Sequence, residues 1–305
     1  MSIWQAIIDY NLMPDNSARK PDWLRVKLPT NPTYGKVSKI FKKHKLHTVC
    51  EEALCPNIAE CWGSGTGTIM ILGDVCTRSC RFCAVKRGNP MGKIDDSEPL
   101  RVAMAAKELG LKYLVITSVC RDDLPDGGAE HFAKTIKSVR QECKNIMIEA
   151  LIPDFRGDLE CIRKVVDAGP DVLCHNVETV YRLSHIARDR RASFQLSLSV
   201  LKKAKELRPE LITKTSFMLG LGETEEDVVQ TLKLIRDVGI DIVFMGQYLR
   251  PSRDKFHLPV KEYVHPDVFD KYRRIAESMG FRLVVAGPLV RSSYRAAEFF
   301  IEKDT

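Results

Sequence analysis

No apolar stretch in the 305-residue chain approaches the ~18 residues that a membrane-crossing helix needs, so no membrane span is expected. The opening segment 1–10 lacks both a basic start and a long apolar centre, and it carries Asp9, which argues against a secretory signal and for the cytoplasm. Aromatic residues are few, 8% of the chain, and the basic N-terminal stretch has little of the aromatic interleaving that nucleic-acid surfaces use for stacking. Two separate cysteine pairs, the usual framework of a structural zinc site, are also missing. Disulfides are disfavoured in a reducing compartment, so the ten cysteines that are present are expected to bind metal or do chemistry.

Charge is unevenly spread. Residues 1–49 hold nine Lys or Arg against three Asp, whereas the other 256 residues hold 38 against 37, so most of the formal +7 belongs to the N-terminal arm. Such an arm, with Lys39, Lys42 and Lys43, can dock an acidic protein or lie solvated on the surface. Pro14, Pro21, Pro29, Pro32 and Gly35 mark residues 14–35 as extended chain, with a helix expected over 36–45.

From Thr68 onward, short runs rich in Ile, Val and Leu alternate with amphipathic stretches. Strands are predicted at 68–72, 113–117, 146–152, 172–174, 212–219 and 242–245. Thr224 is expected to cap a helix whose first turn holds Glu225, Glu226 and Asp227 and which Gly239 stops. Phe132, Ile136, Val139 and Cys143 form a core-facing stripe, as do Leu198, Leu201 and Ala204, and Leu100, Ala103 and Met104 before Gly110. Apolar strands separated by helices imply a parallel sheet covered by helices. The six units occupy residues 67–250, roughly 31 residues each, close to one-eighth of the ~250 residues of a full barrel. The expected fold is therefore α/β, a partial (β/α)6 TIM-like barrel, with an arm at 1–66 and an extension at 251–305 wrapping its mouth. The extension is expected to carry a helix at 266–279, a strand at 282–286 and the segment Arg291-Ser292-Ser293-Tyr294.

Cys76, Cys80 and Cys83, spaced C-x3-C-x2-C, directly follow the first strand, where a barrel carries its catalytic loops. Three thiolates can hold three corners of a cubane iron-sulfur cluster and leave one iron open to a ligand. Cys50, Cys55 and Cys61 form a second triplet, C-x4-C-x5-C, in which Cys55-Pro56-Asn57 reads as a turn and not as an apolar stripe. A second cluster is the natural reading, since the spacing is unlike that of a zinc ribbon; for Cys76, Cys80 and Cys83 a zinc knuckle with a distant fourth ligand, or three unconnected thiols, are the alternatives. Cys120, Cys143, Cys161 and Cys174 read as small core thiols.

The segment Cys76-Thr77-Arg78-Ser79-Cys80-Arg81-Phe82-Cys83 resembles the signature of the radical S-adenosylmethionine (SAM) superfamily, including the aromatic residue before its last cysteine. The second triplet resembles that of the lipoyl synthases. That likeness extends through Gly73-Asp74, Thr117-Ser118-Val119, Arg121-Asp122-Asp123-Leu124, Asp126-Gly127-Gly128, His175-Asn176-Val177-Glu178-Thr179, Gly220-Leu221-Gly222-Glu223, Gly246-Gln247-Tyr248 and the Arg-Ser-Ser-Tyr segment.

The resemblance implies two 4Fe-4S clusters. One, on Cys76, Cys80 and Cys83, binds SAM at its open iron and generates a 5'-deoxyadenosyl radical that abstracts hydrogen from an unactivated carbon. No side-chain base can do this, because an alkane C–H is far too weak an acid. The other, on Cys50, Cys55 and Cys61 with Ser293 as fourth ligand and Ser292 as the close alternative, supplies the sulfurs inserted at C6 and C8 of a protein-bound octanoyl chain. Two SAM molecules are consumed. The implied partners are octanoylated carrier domains, 2-oxoacid dehydrogenase E2 or glycine cleavage H protein, and a low-potential electron donor such as ferredoxin or flavodoxin, with no nucleic acid. Expected SAM contacts are Ser118, Glu149, Asn176, Gly220, Gly222 and Arg188, with Arg121 a further candidate for the SAM carboxylate or the carrier backbone. The chain departs from the family pattern at Cys120, where Asp is common, and at Cys174, where a polar residue is usual. A radical methylthiotransferase acting on tRNA is the competing enzyme, but the positive charge sits in one arm and no RNA-binding module follows the barrel.

Overall fold

The computed structural model describes residues 20–25, 32–63 and 68–294. The opening segment 1–10, Pro14, Pro29 and the boundary placed between residues 66 and 67 lie outside them. In chain order the strands are β1 (His47–Thr48), β2 (Thr68–Ile71), β3 (Val75–Cys76), β4 (Lys86–Arg87), β5 (Tyr113–Ser118), β6 (Met147–Leu151), β7 (Val172–Cys174), β8 (Ile212–Leu219), β9 (Ile242–Gln247) and β10 (Leu283–Gly287). Eight of them form one sheet, ordered β1-β2-β5-β6-β7-β8-β9-β10, whose two ends do not pair with each other, so the barrel is open. Every pairing in it is parallel except that of β1 with β2.

The predicted six strands are all present, and a seventh parallel strand joins them. β10 pairs with β9 in the register Leu283↔Ile242, so the C-terminal extension adds a strand to the sheet. Successive residues of a strand face opposite ways, which divides each strand between two environments. Leu114 and Ile116, Ile148 and Ala150, Val243 and Met245 join the large core, whereas Tyr113 and Val115 pack with Met147 and Leu151 in a separate cluster. Burying one such aliphatic side chain stabilises the fold by about 1.5–3 kcal/mol.

Helices cover the outer face for reasons visible in their sequences. Thr224 accepts from the Asp227 backbone N–H while the Asp227 side chain reaches back, a capping box worth about 1 kcal/mol that starts the helix Glu225–Asp237. Asp158 caps the helix Leu159–Asp167 by accepting from the Cys161 backbone N–H, and Cys161, Ile162, Val165 and Val166 form its buried stripe. One expectation is corrected. In the helix Glu98–Leu109 the buried side chains include Pro99, Val102, Ala103 and Ala106, while Leu100 and Met104 are 56% and 41% exposed. The stripe lies one residue round from the predicted one, because a spacing of three and four fits either phase of so short a segment.

The arm also differs from the expected extended chain. Residues 32–35 already belong to the helix Pro32–Lys43, whose Val37, Ile40 and Phe41 are buried. Phe41 meets the fully buried Trp62 edge-on, with ring centroids 5.6 Å apart. Among the described residues no helix is long and apolar enough to cross a membrane.

Candidate functional site

β2 ends at Ile71, and the chain turns through Leu72 and Gly73, both at positive φ, into the loop that carries Cys76, Cys80 and Cys83. A two-residue parallel ladder, Val75↔Lys86 and Cys76↔Arg87, draws the ends of the loop together. Its interior is held by ions. Arg78 is buried and forks onto Asp122, with Nε and Nη2 at 2.9 Å, and onto Asp154, with Nη2 at 2.7 Å and Nη1 closer still. Ser79 donates from its backbone N–H and its hydroxyl to Asp189, at 2.9 and 3.1 Å. Burial would raise the carboxyls of Asp122 and Asp154, but the Arg78 hydrogen bonds outweigh it and leave both below the ordinary range. The loop therefore takes its shape from the loops that follow β5, β6 and β7.

The second triplet is built from two short helices. Thr48 caps Val49–Glu52, which carries Cys50; Cys55 lies in the expected turn; Cys61 sits on the helix Ile58–Gly63. Two contacts bring the C-terminal segment against it. Asn57 Nδ2 donates to the Leu289 carbonyl at 2.6 Å, and the Tyr294 hydroxyl donates to Glu60 at 3.0 Å. Gly246 of β9 makes the approach possible, since a Cβ there would lie 2.0 Å from the Val290 carbonyl oxygen.

Both triplets line one cavity of about 500 Å³ at the C-terminal ends of the strands, together with Ser118, Asn176, Arg188, Ser292 and Ser293. Burial pushes the Cys83 thiol up to about 12, those of Cys80 and Cys50 up to about 11, and raises that of Cys55. Cys76 is brought down to about 6, chiefly by a hydrogen bond from Cys120 that overcomes burial. Thiols that burial keeps protonated become thiolates when a cation sits beside them, the service an iron cluster performs. The hydroxyls of Ser118 and Ser293 and the Nε of Arg188 are buried without a hydrogen-bond partner among the described residues. Each unpaired atom costs about 1–3 kcal/mol, which a ligand in the cavity can recover. The donor types suit iron-sulfur clusters and a polar small molecule, while among the described residues no three His, Cys, Asp or Glu side chains are already gathered closely enough to hold a metal ion.

Residues 70–235 match the radical SAM superfamily, and residues 7–55 match the N-terminal domain of lipoyl synthase of the radical SAM family. The chain is 52% identical to lipoyl synthase of Thermus thermophilus over 93% of its own length and 87% of that protein's. It is 55% identical to lipoyl synthase of Myxococcus xanthus, over 94% of its own length and 95% of that protein's. The chain belongs to the lipoyl synthase family. Its fold is also that of the FeFe-hydrogenase maturase HydG from Carboxydothermus hydrogenoformans, with a TM-score of 0.52 at 13% identity over 99% of this chain and 82% of that one.

Membership in this family brings SAM and 4Fe-4S clusters as cofactors, and the two thiol triplets are the donor sets on hand for the clusters. Four of the residues named from sequence stand apart from the cavity. Glu149 is fully buried in an ion pair with Lys214 at 2.9 Å and accepts from the Tyr113 hydroxyl at 2.6 Å. Arg121 spends its guanidinium on Asp123 and on the carbonyls of Leu72 and Lys93. Gly220 packs against Gln247 and Glu262 at φ +96°, where a Cβ would lie 2.1 Å from the Gln247 amide. The carbonyl of Gly222 accepts from Arg182. None of these four lines the cavity.

Cys120 and Glu178 are among the lining residues that were not singled out from sequence as site residues. Cys120, read as a core thiol, faces Cys76 across the cavity wall. Glu178 is held by backbone hydrogen bonds to Ser216 and Met218, and burial raises its carboxyl against the pull of Arg188 and Asn176. Its place in the polar segment His175–Thr179, two residues beyond Asn176, was the available signal, although Glu178 itself sits at φ +70° and not in extended chain. In the basic arm, Lys43 is engaged in an ion pair with Glu108 at 2.9 Å, while Lys39 and Lys42 are exposed.

Proposed function

We propose that this protein inserts two sulfur atoms, at C6 and C8, into an octanoyl chain carried in amide linkage on a lysine of a carrier domain, either 2-oxoacid dehydrogenase E2 or glycine cleavage H protein. The observation that carries this reading is the convergence of two cysteine triplets and the unpaired Ser293 hydroxyl on a single cavity. Cys76, Cys80 and Cys83 would hold the SAM-binding cluster, and Cys50, Cys55, Cys61 and Ser293 the auxiliary one. When bound, these groups supply hydrogen abstraction from unactivated carbon and the sulfur that replaces the hydrogen.

The chain's own residues do the remaining work. Ser118, Asn176 and Arg188 offer polar groups to SAM along the strand ends. Met70, Val115, Val119, Leu151 and Met218 give the cavity apolar walls that suit an alkyl chain and keep water from the reacting carbons. Oxygen holds iron less firmly than thiolate does, so Ser293 makes the auxiliary cluster the easier one to dismantle. A low-potential carrier such as ferredoxin or flavodoxin supplies the electrons. The free cysteines suit a reducing compartment, for which we propose the cytoplasm.

The test supplies anaerobically reconstituted protein with an octanoylated carrier, SAM and dithionite. Iron analysis should give about eight irons per chain, as two cubanes require, and mass spectrometry should show two added sulfurs on the carrier. 5'-Deoxyadenosine formed without sulfur insertion would retain radical chemistry but reject this substrate.

A further inference from the structure

Beyond β9 the chain folds over the outside of the Cys76–Cys83 loop. Leu258 N–H donates to the Arg81 carbonyl at 3.1 Å, Arg81 Nε donates to the Phe256 carbonyl at 3.2 Å, and His257 Nε2 lies 3.0 Å from the Cys83 carbonyl oxygen. The rings of Phe256 and His257 meet edge-on, 5.5 Å between centroids, and the Arg87 guanidinium stacks 3.7 Å above Phe256. A short series of contacts thus runs from exposed Arg87, through two half-buried rings, to the backbone of a cysteine of the SAM-binding triplet.

The surface around this series is basic. Segments 84–91 and 250–258 hold five Lys or Arg against one acid, Asp254. Lys86, Arg87, Arg253 and Lys255 are all exposed, and none joins an ion pair among the described residues. Exposed cations elsewhere are paired in places, as Lys107 is with Glu142 and Lys271 with Glu225, and unpaired in others, so what marks this face is four unpaired cations gathered on the two short segments that meet at Phe256. Unpaired charge of one sign at a protein surface steers a partner of the opposite sign.

We propose that this face, centred on Lys86, Arg253 and Lys255 around Phe256, docks a small acidic one-electron carrier protein, and that electrons enter on the Cys83 side. The proposal rests on the function given above. Each transfer oxidises the carrier by one electron and reduces the cluster on Cys76, Cys80 and Cys83 by one, with no proton or group exchanged.

The experiment compares the holoenzyme with the triple variant Lys86→Glu, Arg253→Glu, Lys255→Glu, using a flavodoxin as the probe. Surface plasmon resonance should show flavodoxin binding weakened by about tenfold or more at low salt, with the difference shrinking as salt is raised. Turnover driven by dithionite, a small reductant that needs no docking, should be unchanged, as should KM for the octanoylated carrier. The neutral variant Lys86→Gln, Arg253→Gln, Lys255→Gln should fall between the two. Unchanged flavodoxin affinity would overturn the proposal, and so would an equal loss with dithionite, which marks a structural defect. A raised KM for the octanoylated carrier with flavodoxin affinity intact would assign the face to the substrate domain instead. Failure of sulfur insertion with dithionite in the unmodified protein would count against the proposed function and leave the binding result standing.

Discussion

The side-chain amide of Asn57 donates to the carbonyl of Leu289, 2.6 Å away and 232 residues along the chain. It lies two residues after Cys55, and Leu289 lies four before Ser293, so this hydrogen bond, with that of Tyr294 to Glu60, holds the serine's segment against the second triplet. Asn57→Ala removes a buried donor and leaves the carbonyl unpaired, a loss of about 1–3 kcal/mol confined to that contact. The expected outcome is a lower iron content at the auxiliary site and slower sulfur insertion, with SAM cleavage retained. Gly246→Ala should do the same more severely, because the atom it would strike is the Val290 backbone and not a flexible side-chain end. Iron analysis and 5'-deoxyadenosine yield, measured together, check both; an unchanged iron content in Gly246→Ala would refute the contact's role.

The two triplets should separate by function. Cys55→Ala is predicted to abolish sulfur insertion and leave SAM cleavage by the Cys76, Cys80, Cys83 site. Ser293→Cys should keep the auxiliary cluster and slow its dismantling, since thiolate grips iron more firmly than a serine oxygen does. Ser292→Ala should be close to neutral. Sulfur counted on the carrier by mass spectrometry reads all three, and loss of both activities in Cys55→Ala would show that the second triplet serves the fold.

Much of the architecture was legible because its signals are local. The strand at 212–219 and the cap at Thr224 were read correctly from alternation and from one hydroxyl followed by three acids. What stayed hidden depended on partners distant in sequence. Glu149 has the parity of an inward-facing residue, but its depth in the barrel and its engagement by Lys214, 65 residues away, follow only from the closed register of β6, β7 and β8. Cys120 looked like a core thiol because nothing near it in sequence shows that its neighbour is Cys76. The Leu100 and Met104 stripe failed for a different reason, a phase ambiguity that tertiary packing resolved.

Arg78 joins the first cysteine loop to Asp122 and Asp154, and removing one partner of such a buried set costs about 3–5 kcal/mol. Arg78→Gln should lower stability by an amount of that order and reduce iron binding at Cys76, Cys80 and Cys83. The acid side of the stability profile gives a sharper check. Both carboxyls titrate below their ordinary value in the fold, so their contribution is complete above the unfolded value of about 4 and is lost as pH falls through the folded values. Urea midpoints of the metal-free protein between about pH 3 and pH 7 should therefore fall toward acid, and fall less steeply in Arg78→Gln. Parallel profiles would mean that Arg78 does not set those carboxyls.

The basic arm supplies the last prediction. The helix Pro32–Lys43 presents Lys39 and Lys42 to solvent, whereas Lys43 is already tied to Glu108. An acidic carrier domain docking on that helix would stand beside the second triplet, since the same helix packs through Phe41 on Trp62, the residue after Cys61. Lys39→Gln with Lys42→Gln should therefore raise KM for an intact octanoylated domain several-fold at low ionic strength and leave a short octanoyl-lysine peptide unaffected, because only the whole domain carries the opposing charge. Lys43→Gln should act instead on stability, and only slightly, as an exposed pair allows. Equal effects of the double variant on domain and peptide would place the two lysines outside the docking surface.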